Sequence, residues 1–216
     1  MVQFMFNIYQ CQNKQCRFRF PDKATNTNDI LCPKCKSETN IVEDQFDNQK
    51  ILHDNYPNSF PKLVVVLDNI RSIYNVGSMM RTGDGAGVSH FYLSGITATP
   101  ENHKLKKTGL GAENQTNWSY HLNALDLVNR LKTQGCTIWA LEGGNDTLSI
   151  FDLPKENLLS APIALVIGNE ISGVDPGILR VSDQVISIPM QGFKDSLNVA
   201  IAFGIAVYAI RYSGYK

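Results

Sequence analysis

The chain has 216 residues, of which 43% are hydrophobic, and its formal net charge of zero argues against a nucleic-acid partner without excluding one. These values fit one large globular domain with a small appendage, and no apolar stretch approaches the roughly 20 residues of a membrane span. The N-terminus lacks a basic region and a small-residue cleavage site, so we predict no secretory signal and a cytoplasmic location.

Four of the five cysteines form two short-spaced pairs, Cys11-x4-Cys16 and Cys32-x2-Cys35. Two such pairs are typical of a structural zinc site in which four thiolates surround the ion tetrahedrally. About 40 residues with few large aliphatic side chains could hardly build a core, so bound metal would supply folding free energy. The alternatives are free buried thiols or disulfides, and disulfides are disfavoured without an export signal. We therefore predict a zinc-ribbon-like domain at 1–40 that holds Zn²⁺ on these four cysteines.

A polar segment rich in Asn, Asp, Gln and Pro follows and predicts a linker at 41–61. From residue 62 the pattern changes to short apolar runs that alternate with helical spacing. This alternation predicts an α/β fold with a mostly parallel sheet over 62–216, covered by helices on both faces. The predicted strands are 63–67, 90–93, 137–141, 163–167 and 185–188, and the predicted helices are 74–86, 124–132 and 197–210.

A dinucleotide-binding site is disfavoured in this domain. The first predicted strand runs into Asp68-Asn69-Ile70-Arg71 rather than a glycine-rich loop. Gly83, Gly85 and Gly87 are regularly spaced, but they lie at the end of a predicted helix, which is the wrong context for that site.

Three polar clusters each follow an apolar run, at 75–81, 168–170 and 188–199. An apolar run that ends in Gly, Asn, Ser and a charge is typical of a buried strand that leads into a loop or a helix start. Ligands of open α/β sheets bind at the carboxyl edge of the strands. We therefore expect the three clusters to share one site.

Each cluster residue also has a structural interpretation. Arg81 offers a planar fork for phosphate or carboxylate, but an arginine on a helix surface has the same spacing. Gly168 would let a ligand approach the backbone closely. Glu170 could accept hydrogen bonds or act as a base, and it also suits a helix start.

The third cluster precedes a long apolar helix. Asp195 and Ser196 are both good N-cap types, and capping would explain either residue alone. Asn198 is predicted inside the helix, where it contributes nothing as a helix former. Its buried side chain would then need a partner, either a ligand or another loop.

Together the clusters resemble the three motifs of the SpoU-type (TrmH-like) methyltransferases of the SPOUT superfamily. The first motif spans 68–82, the second 165–174, and the third joins 188–190 to 196–200. Residues 107–113 look like the family's linking loop. The order and spacing of all three motifs make the resemblance specific. It covers residues 62 to about 212, and the cysteine-containing segment lies outside it.

The resemblance implies an enzyme that transfers a methyl group from S-adenosylmethionine to a ribose 2′-hydroxyl of tRNA or rRNA. It also implies a parallel α/β sheet with a C-terminal deep trefoil knot, a rare exception to unknotted connections, and a homodimer. The residues that match the family's cofactor-binding positions are Leu141, Glu142, Gly143, Gly168, Ile188, Met190 and Leu197. Arg81 matches the catalytic arginine, and Asn75, Glu170, Ser196 and Asn198 match the polar residues around it.

Two questions stay open at this level. Arginine is effectively always protonated, so Arg81 acts either as an unusual base or as a phosphate clamp. The N-terminal domain, with Lys14, Arg17 and Arg19, either binds RNA or is a structural cap or a dimer contact. The competing functions are a catalytically silent RNA-binding protein that retains the knot and a zinc-ribbon adaptor that binds protein; the second leaves the motifs unexplained.

Overall fold

The computed structural model of the protein describes residues 5–23, 30–47, 62–144, 147–153 and 161–213. By its contacts the chain divides into two compact units, Met1–Tyr56 and Pro57–Lys216. None of the helices in the described ranges has the length and apolar character that crossing a membrane requires.

The first unit is a three-stranded antiparallel sheet. Its strands are β1 (Met5–Cys11), β2 (Arg19–Lys23) and β3 (Thr39–Asp47), in the order β2-β1-β3. Backbone turns follow β1 and precede β3: Arg17 N–H donates to the Asn13 carbonyl, and Lys36 N–H donates to the Cys32 carbonyl at 2.8 Å. These two turns carry the cysteine pairs.

The predicted linker at 41–61 is wrong over 41–47. These residues belong to β3, which pairs with β1 through Cα partners such as Tyr9 and Ile41. The polar composition of the segment concealed the strand. Pairing with β1 uses backbone hydrogen bonds, so the exposed face of β3 does not need apolar side chains. The remainder of the predicted linker, 48–61, lies outside the described residues.

The second unit alternates strands and helices. Its strands are β4 (Leu63–Asp68), β5 (His90–Ser94), β6 (Trp118–His121), β7 (Thr137–Leu141), β8 (Leu148–Ser149), β9 (Ile163–Ile167) and β10 (Gln184–Ser187). Its α-helices are α1 (Ile73–Gly85), α2 (Lys106–Gly109), α3 (Ala124–Thr133), α4 (Pro176–Val181) and α5 (Val199–Tyr212).

The seven strands form one sheet in the order β6-β5-β4-β9-β7-β10-β8. Every strand pairing in this sheet is parallel, as the alternation of strands and helices predicts. Successive residues of β4 serve opposite faces: Val65 packs with α1 and α5, and Val66 packs with α3 and α4. The helices therefore cover the sheet on both sides, and β4 is buried along its whole length.

The structure places a chain of hydrogen-bonded side chains at the β5–β6 edge. Arg130 donates to His121 Nδ1 at 3.2 Å, and the Ser119 hydroxyl lies 2.9 Å from both His121 Nε2 and His90 Nε2. Because arginine can only donate, His121 must be neutral and carry its proton on Nε2. It then donates to Ser119, and Ser119 donates to His90. The chain is complete only when both imidazoles are neutral.

These linked hydrogen bonds predict that the free energy of unfolding of the second unit decreases in acid. Burial lowers the pKa of both histidines, together with the charges of His121 and Lys62 on His90 and of Arg130 on His121. The unfolded chain therefore takes up protons first, so the stabilisation is present above about pH 6.5 and lost as pH falls through the lowered pKa values.

We expect the urea concentration at the unfolding midpoint of this unit to decrease as the pH is lowered from about 7.5 to about 5.5. Combining His90→Gln with His121→Gln should flatten that dependence. The control is His103→Gln, which removes an exposed histidine that takes no part in this series of side-chain hydrogen bonds. A double variant that keeps the full pH dependence would contradict the assignment.

Candidate active site

The carboxyl ends of the central parallel strands surround one cavity of about 990 Å³. The turn after β7 contributes Leu141, Glu142 and Gly143, and the turn after β9 contributes Gly168 to Ile171. The segment after β10, from Ile188 to Val199, forms the remaining wall. All seven residues that the resemblance implies for the cofactor line this cavity.

Asn75 joins the three polar clusters. It lies in the first turn of α1, where its side-chain amide donates to Glu170 Oε1 at 3.0 Å. Its carbonyl oxygen accepts from Asn198 Nδ2 at 3.3 Å. One side chain from each cluster therefore meets at the cavity wall, and the sharing of one site that the sequence predicts holds for these three residues.

Glu170 is fully engaged as a hydrogen-bond acceptor. In addition to Asn75, it accepts from the backbone N–H of Arg71 at 2.8 Å and of Ser72 at 3.0 Å. Burial alone would raise the pKa of Glu170, but these hydrogen bonds outweigh it and the pKa is lowered. The carboxylate is thus ionised at neutral pH and a weak base, which favours the hydrogen-bonding interpretation of this residue.

Asn198 is the N-cap of α5, and its prediction as a buried residue inside the helix is wrong. Its Oδ1 accepts from Ala200 N–H at 2.9 Å and from Ile201 N–H at 3.4 Å, and its side chain is exposed. Asp195 and Ser196 do not cap this helix; the Ser196 hydroxyl donates to Asp195 at 3.2 Å. The contact of Asn198 with Asn75 explains why the helix begins after this residue and not earlier.

Gly168 lines the cavity, and the chain's own backbone also requires a glycine at this position. A Cβ at this position would collide with the backbone of Gly173 and Val174. That turn is closed by hydrogen bonds in both directions between Asn169 and Gly173, and Glu142 accepts from Val174 N–H at 2.7 Å. The turns after β7 and β9 are therefore packed tightly against each other.

We predict that Gly168→Ala destabilises the second unit by about 2 kcal/mol or more, because the rigid backbone of the adjacent turn cannot yield. The matched control is Gly143→Ala, since Gly143 lines the same cavity but a Cβ there meets nothing within 4 Å. The control should stay within about 0.5 kcal/mol of the parent chain. Urea unfolding measures both, and equal losses would contradict the packing argument.

Arg81 does not line this cavity. It lies on α1, six residues after Asn75, in a second cleft of about 580 Å³ with Lys107 and Tyr208. Hydroxyl groups of Ser78, Thr82 and Thr108 are also among the lining residues. Arg81 is exposed and has no hydrogen-bond or ion-pair partner within the described ranges. The second cleft therefore offers two cations to an anionic ligand, while the Thr108 hydroxyl already donates to the Tyr74 carbonyl at 3.1 Å.

Gly77 shapes the contact between α1 and the segment that carries Lys107. A Cβ at Gly77 would collide with the Thr108 hydroxyl and the Leu105 carbonyl. Sequence reasoning did not assign the lining residues Lys107, Thr108 and Tyr208 to a site. Lys107 and Thr108 lie in the segment that looks like the family's linking loop, but nothing in the local pattern marks Tyr208.

In the first unit the four cysteine sulfurs lie within 4.8 Å of one another. Cys11 Sγ is 3.4 Å from Cys35 Sγ, and Cys16 Sγ is 3.9 Å from Cys32 Sγ. A tetrahedral zinc ion with Zn–S bonds of about 2.3 Å separates its sulfurs by about 3.8 Å. The arrangement therefore fits a four-thiolate metal site, while the fifth cysteine, Cys136, lies in the second unit.

Comparison with known protein families gives one domain match. The model of the family described as "SpoU rRNA Methylase family" matches residues 62–208.

Curated relatives agree with this match. The chain is 32% identical over 155 residues to the Bacillus subtilis 23S rRNA (guanosine(2553)-2′-O)-methyltransferase RlmP, covering 68% of this chain and 57% of that protein. It is 31% identical over 149 residues to the Aquifex aeolicus tRNA (guanosine(18)-2′-O)-methyltransferase, covering 68% and 67%. The chain thus spans between 57% and 67% of the lengths of these two relatives.

Solved structures show the same fold. The AdoMet-bound rRNA methyltransferase from Sinorhizobium meliloti superposes with a TM-score of 0.65 at 27% identity, covering 71% of this chain and 57% of that chain. The A. aeolicus TrmH/SpoU tRNA modifying enzyme gives a TM-score of 0.61 at 28% identity, covering 69% and 74%.

Proposed function

Because the chain belongs to the SpoU rRNA methylase family, we propose that it transfers a methyl group from S-adenosylmethionine to a ribose 2′-hydroxyl of tRNA or rRNA. The observation that carries this proposal is the meeting of Asn75, Glu170 and Asn198 at the wall of one cavity. The two curated relatives described above, both named as RNA 2′-O-methyltransferases, support it.

The cavity fits the cofactor. Its volume of about 990 Å³ is at the upper end of small-molecule sites. Leu141, Ile188, Met190 and Leu197 offer apolar walls for an adenine ring, and the turns after β7 and β9 offer backbone groups. The similar S. meliloti enzyme is an AdoMet-bound methyltransferase, which supports the same ligand here. When bound, S-adenosylmethionine supplies an electrophilic methyl group.

The polar residues at the cavity would position rather than deprotonate the substrate. The lowered pKa of Glu170 and its three hydrogen bonds make it a poor proton acceptor. We infer that Glu170 fixes the amide of Asn75, and that Asn75 and Asn198 orient the ribose. Ser196 also lines the cavity, and its hydroxyl, which donates to Asp195, keeps acceptor capacity for the substrate on the same side. Correct orientation of the attacking hydroxyl supplies much of the rate in such reactions.

The second cleft would hold the RNA backbone. Arg81 and Lys107 are both exposed, and neither has an acidic partner among the residues that the structure describes. A phosphate in this cleft would satisfy them with charge-assisted hydrogen bonds. Arg81 is the catalytic arginine implied by the resemblance, and its exposure supports the role of a phosphate clamp.

We also propose a homodimer. The outer face of α5 exposes Ile201 to 58% and Tyr208 to 42%, seven residues and so about two turns apart on one face. Exposed apolar side chains grouped in this way are typical of subunit interfaces. Tyr208 also lines the second cleft, so this dimer would place the cleft beside the partner chain. A solution mass equal to one chain would contradict it.

The C-terminal deep trefoil knot is proposed on the same basis. The late strand β9 lies between β4 and β7, which both precede it in the chain, and the segment after β10 returns to the cavity wall before α5. This order is compatible with the threading that the resemblance implies. For the first unit we propose a zinc-ribbon-like domain with Zn²⁺ bound by Cys11, Cys16, Cys32 and Cys35.

The test of the methyltransferase function is mass spectrometry of total tRNA and rRNA from a deletion strain. Loss of a single ribose methylation, restored by the parental gene, is the expected result and names the nucleotide. Calorimetry should show that the purified protein binds S-adenosylmethionine. If no methyl mark changes and no cofactor binds, the alternative of a catalytically silent RNA-binding protein replaces the proposal.

A further inference from the structure

The first unit exposes an aromatic ladder. Tyr9 and Phe20 are cross-strand partners whose rings stack with centroids 5.8 Å apart, and Phe20 stacks on Phe18 at the same distance. Tyr9 is 1% exposed and Phe18 is 40% exposed, so the ladder runs from the interior of the unit to its surface. A flat ring at the end of such a ladder can take a further planar group.

Four cations, hereafter the turn cations, lie in the two cysteine-carrying turns, the first of which leads directly into Phe18, whose carbonyl accepts from Cys11 N–H at 2.9 Å. They are Lys14, Arg17, Lys34 and Lys36, and all four are exposed. Arg17 directly follows Cys16 and Lys36 directly follows Cys35, both with positive φ. Because the four sulfurs lie within 4.8 Å of one another, the two turns that carry these cations are neighbours. None of the turn cations has an acidic partner within the described ranges.

An exposed aromatic ring beside unpaired cations has the chemistry of single-stranded nucleic-acid binding. Bases stack on aromatic side chains, and cations on the flanking backbone neutralise phosphates. Arg19 differs from the turn cations, because it forms an ion pair with Glu43 at 3.1 Å.

We propose that the first unit binds single-stranded RNA, with an unpaired base stacked on Phe18 and its phosphates on the turn cations. This inference rests on the proposed RNA substrate and gives the first unit a part in recognising it. The competing role of the cations is to balance the charge of about −2 of a zinc ion with four thiolates. In that case they would act on metal retention and not on RNA.

The experiment uses the full chain and a fluorescein-labelled 12-nucleotide RNA designed without base pairing, followed by fluorescence anisotropy. We expect Phe18→Leu to weaken binding at least about fivefold, the low end of what loss of one base–aromatic stack costs, and Phe18→Tyr to retain affinity. Replacing both Arg17 and Lys36 by glutamine should reduce the salt-dependence slope by about 1.4. The zinc content of each variant is measured in parallel.

Two matched controls lie in the same unit. Leu31→Ala removes an apolar side chain that is 54% exposed, and Arg19→Gln removes a cation that is already paired. Both should bind the RNA as the parent does. Repeating the Phe18 series in an Arg81→Ala chain separates this surface from the second cleft, because the effects should then combine additively.

The proposal is overturned if Phe18→Leu binds as tightly as the parent chain, if the parent prefers the same RNA annealed to its complement, or if the parent binds no RNA. The variant that replaces both Arg17 and Lys36 could instead lose zinc and keep the salt slope of the parent. That result would assign these cations to metal retention and overturn their proposed role in phosphate binding. The assay needs neither cofactor nor turnover. A negative result in the binding assay, with RNA methylation intact, therefore contradicts only this proposal and leaves the methyltransferase proposal standing.

Discussion

Replacing Arg81 by alanine is expected to slow methyl transfer by roughly 10²-fold, the cost that misplacing a bound substrate can carry. Binding of S-adenosylmethionine should stay within about twofold of the parent, because Arg81 lies in the second cleft and not in the cavity proposed for the cofactor. Single-turnover methylation of the RNA identified by mass spectrometry measures the first quantity, and calorimetry measures the second.

Arg81→Lys tests which property of Arg81 the proposed phosphate contact requires. Lysine keeps the positive charge but loses the planar fork that contacts phosphate at two points. If a point charge suffices, Arg81→Lys recovers most of the rate; if the fork is required, it stays close to the alanine variant.

The matched control is Arg180→Ala, which removes an exposed arginine at the end of α4, outside both cavities. It should leave the rate within about twofold. Equal losses in the two alanine variants would show that Arg81 contributes only to the overall charge. Loss of cofactor binding in Arg81→Ala would contradict the separation of the two cavities.

The central strands could be predicted from the sequence because their burial on both faces leaves short continuous runs of mainly apolar residues. Strands β7 and β9 coincide with their predicted bounds, and β4 extends one residue further, to Asp68. The edge strand β6 escaped prediction. Only Trp118 of this strand packs against the core; Ser119 and His121 belong to the hydrogen-bonded chain with His90, and Tyr120 is exposed, so β6 lacks a uniform apolar signal.

The sheet order could not be derived from local patterns. The insertion of β9 between β4 and β7 is a property of the whole fold, and no local pattern in the sequence indicates it. The start of α5 was ambiguous for a related reason: Asp195, Ser196 and Asn198 are all good cap types, and the contact with Asn75, 123 residues away in sequence, selects Asn198. Tertiary contacts decide what propensity leaves open.

The site shows the same limit. Spacing alone could not decide whether Asn75 and Arg81 line the same pocket. Six residues on a helix turn by about 600° and advance by about 9 Å, so the two side chains point in different directions from different heights on the helix. The structure assigns them to different cavities. Gly168 is a comparable case: its position after β9 suggested ligand contact, and the structure adds a second reason for glycine, because the backbone of Gly173 and Val174 leaves no room for a Cβ.

Replacing Cys32 by serine is expected to release the metal and unfold the first unit while the second unit stays folded. Among the described residues of the first unit, only Tyr9, Cys11 and Cys32 are buried apolar side chains, and two of these are proposed ligands. Zinc binding to four thiolates contributes on the order of 10 kcal/mol in comparable small domains, far more than one buried tyrosine. Removing one ligand should therefore remove most of the folding free energy of this unit.

Elemental analysis should find one zinc per parent chain and well under half of that in Cys32→Ser. Hydrogen exchange should show loss of protection in β1 and β3 and unchanged protection in β4 and β9. Cys136→Ser is the control, because Cys136 belongs to the second unit and should leave the zinc content unchanged. Chelation of the parent chain should reproduce the Cys32→Ser exchange pattern. Full protection of β1 and β3 in metal-free protein would show that the three-stranded sheet is stable without zinc, and the cysteines would then be free thiols.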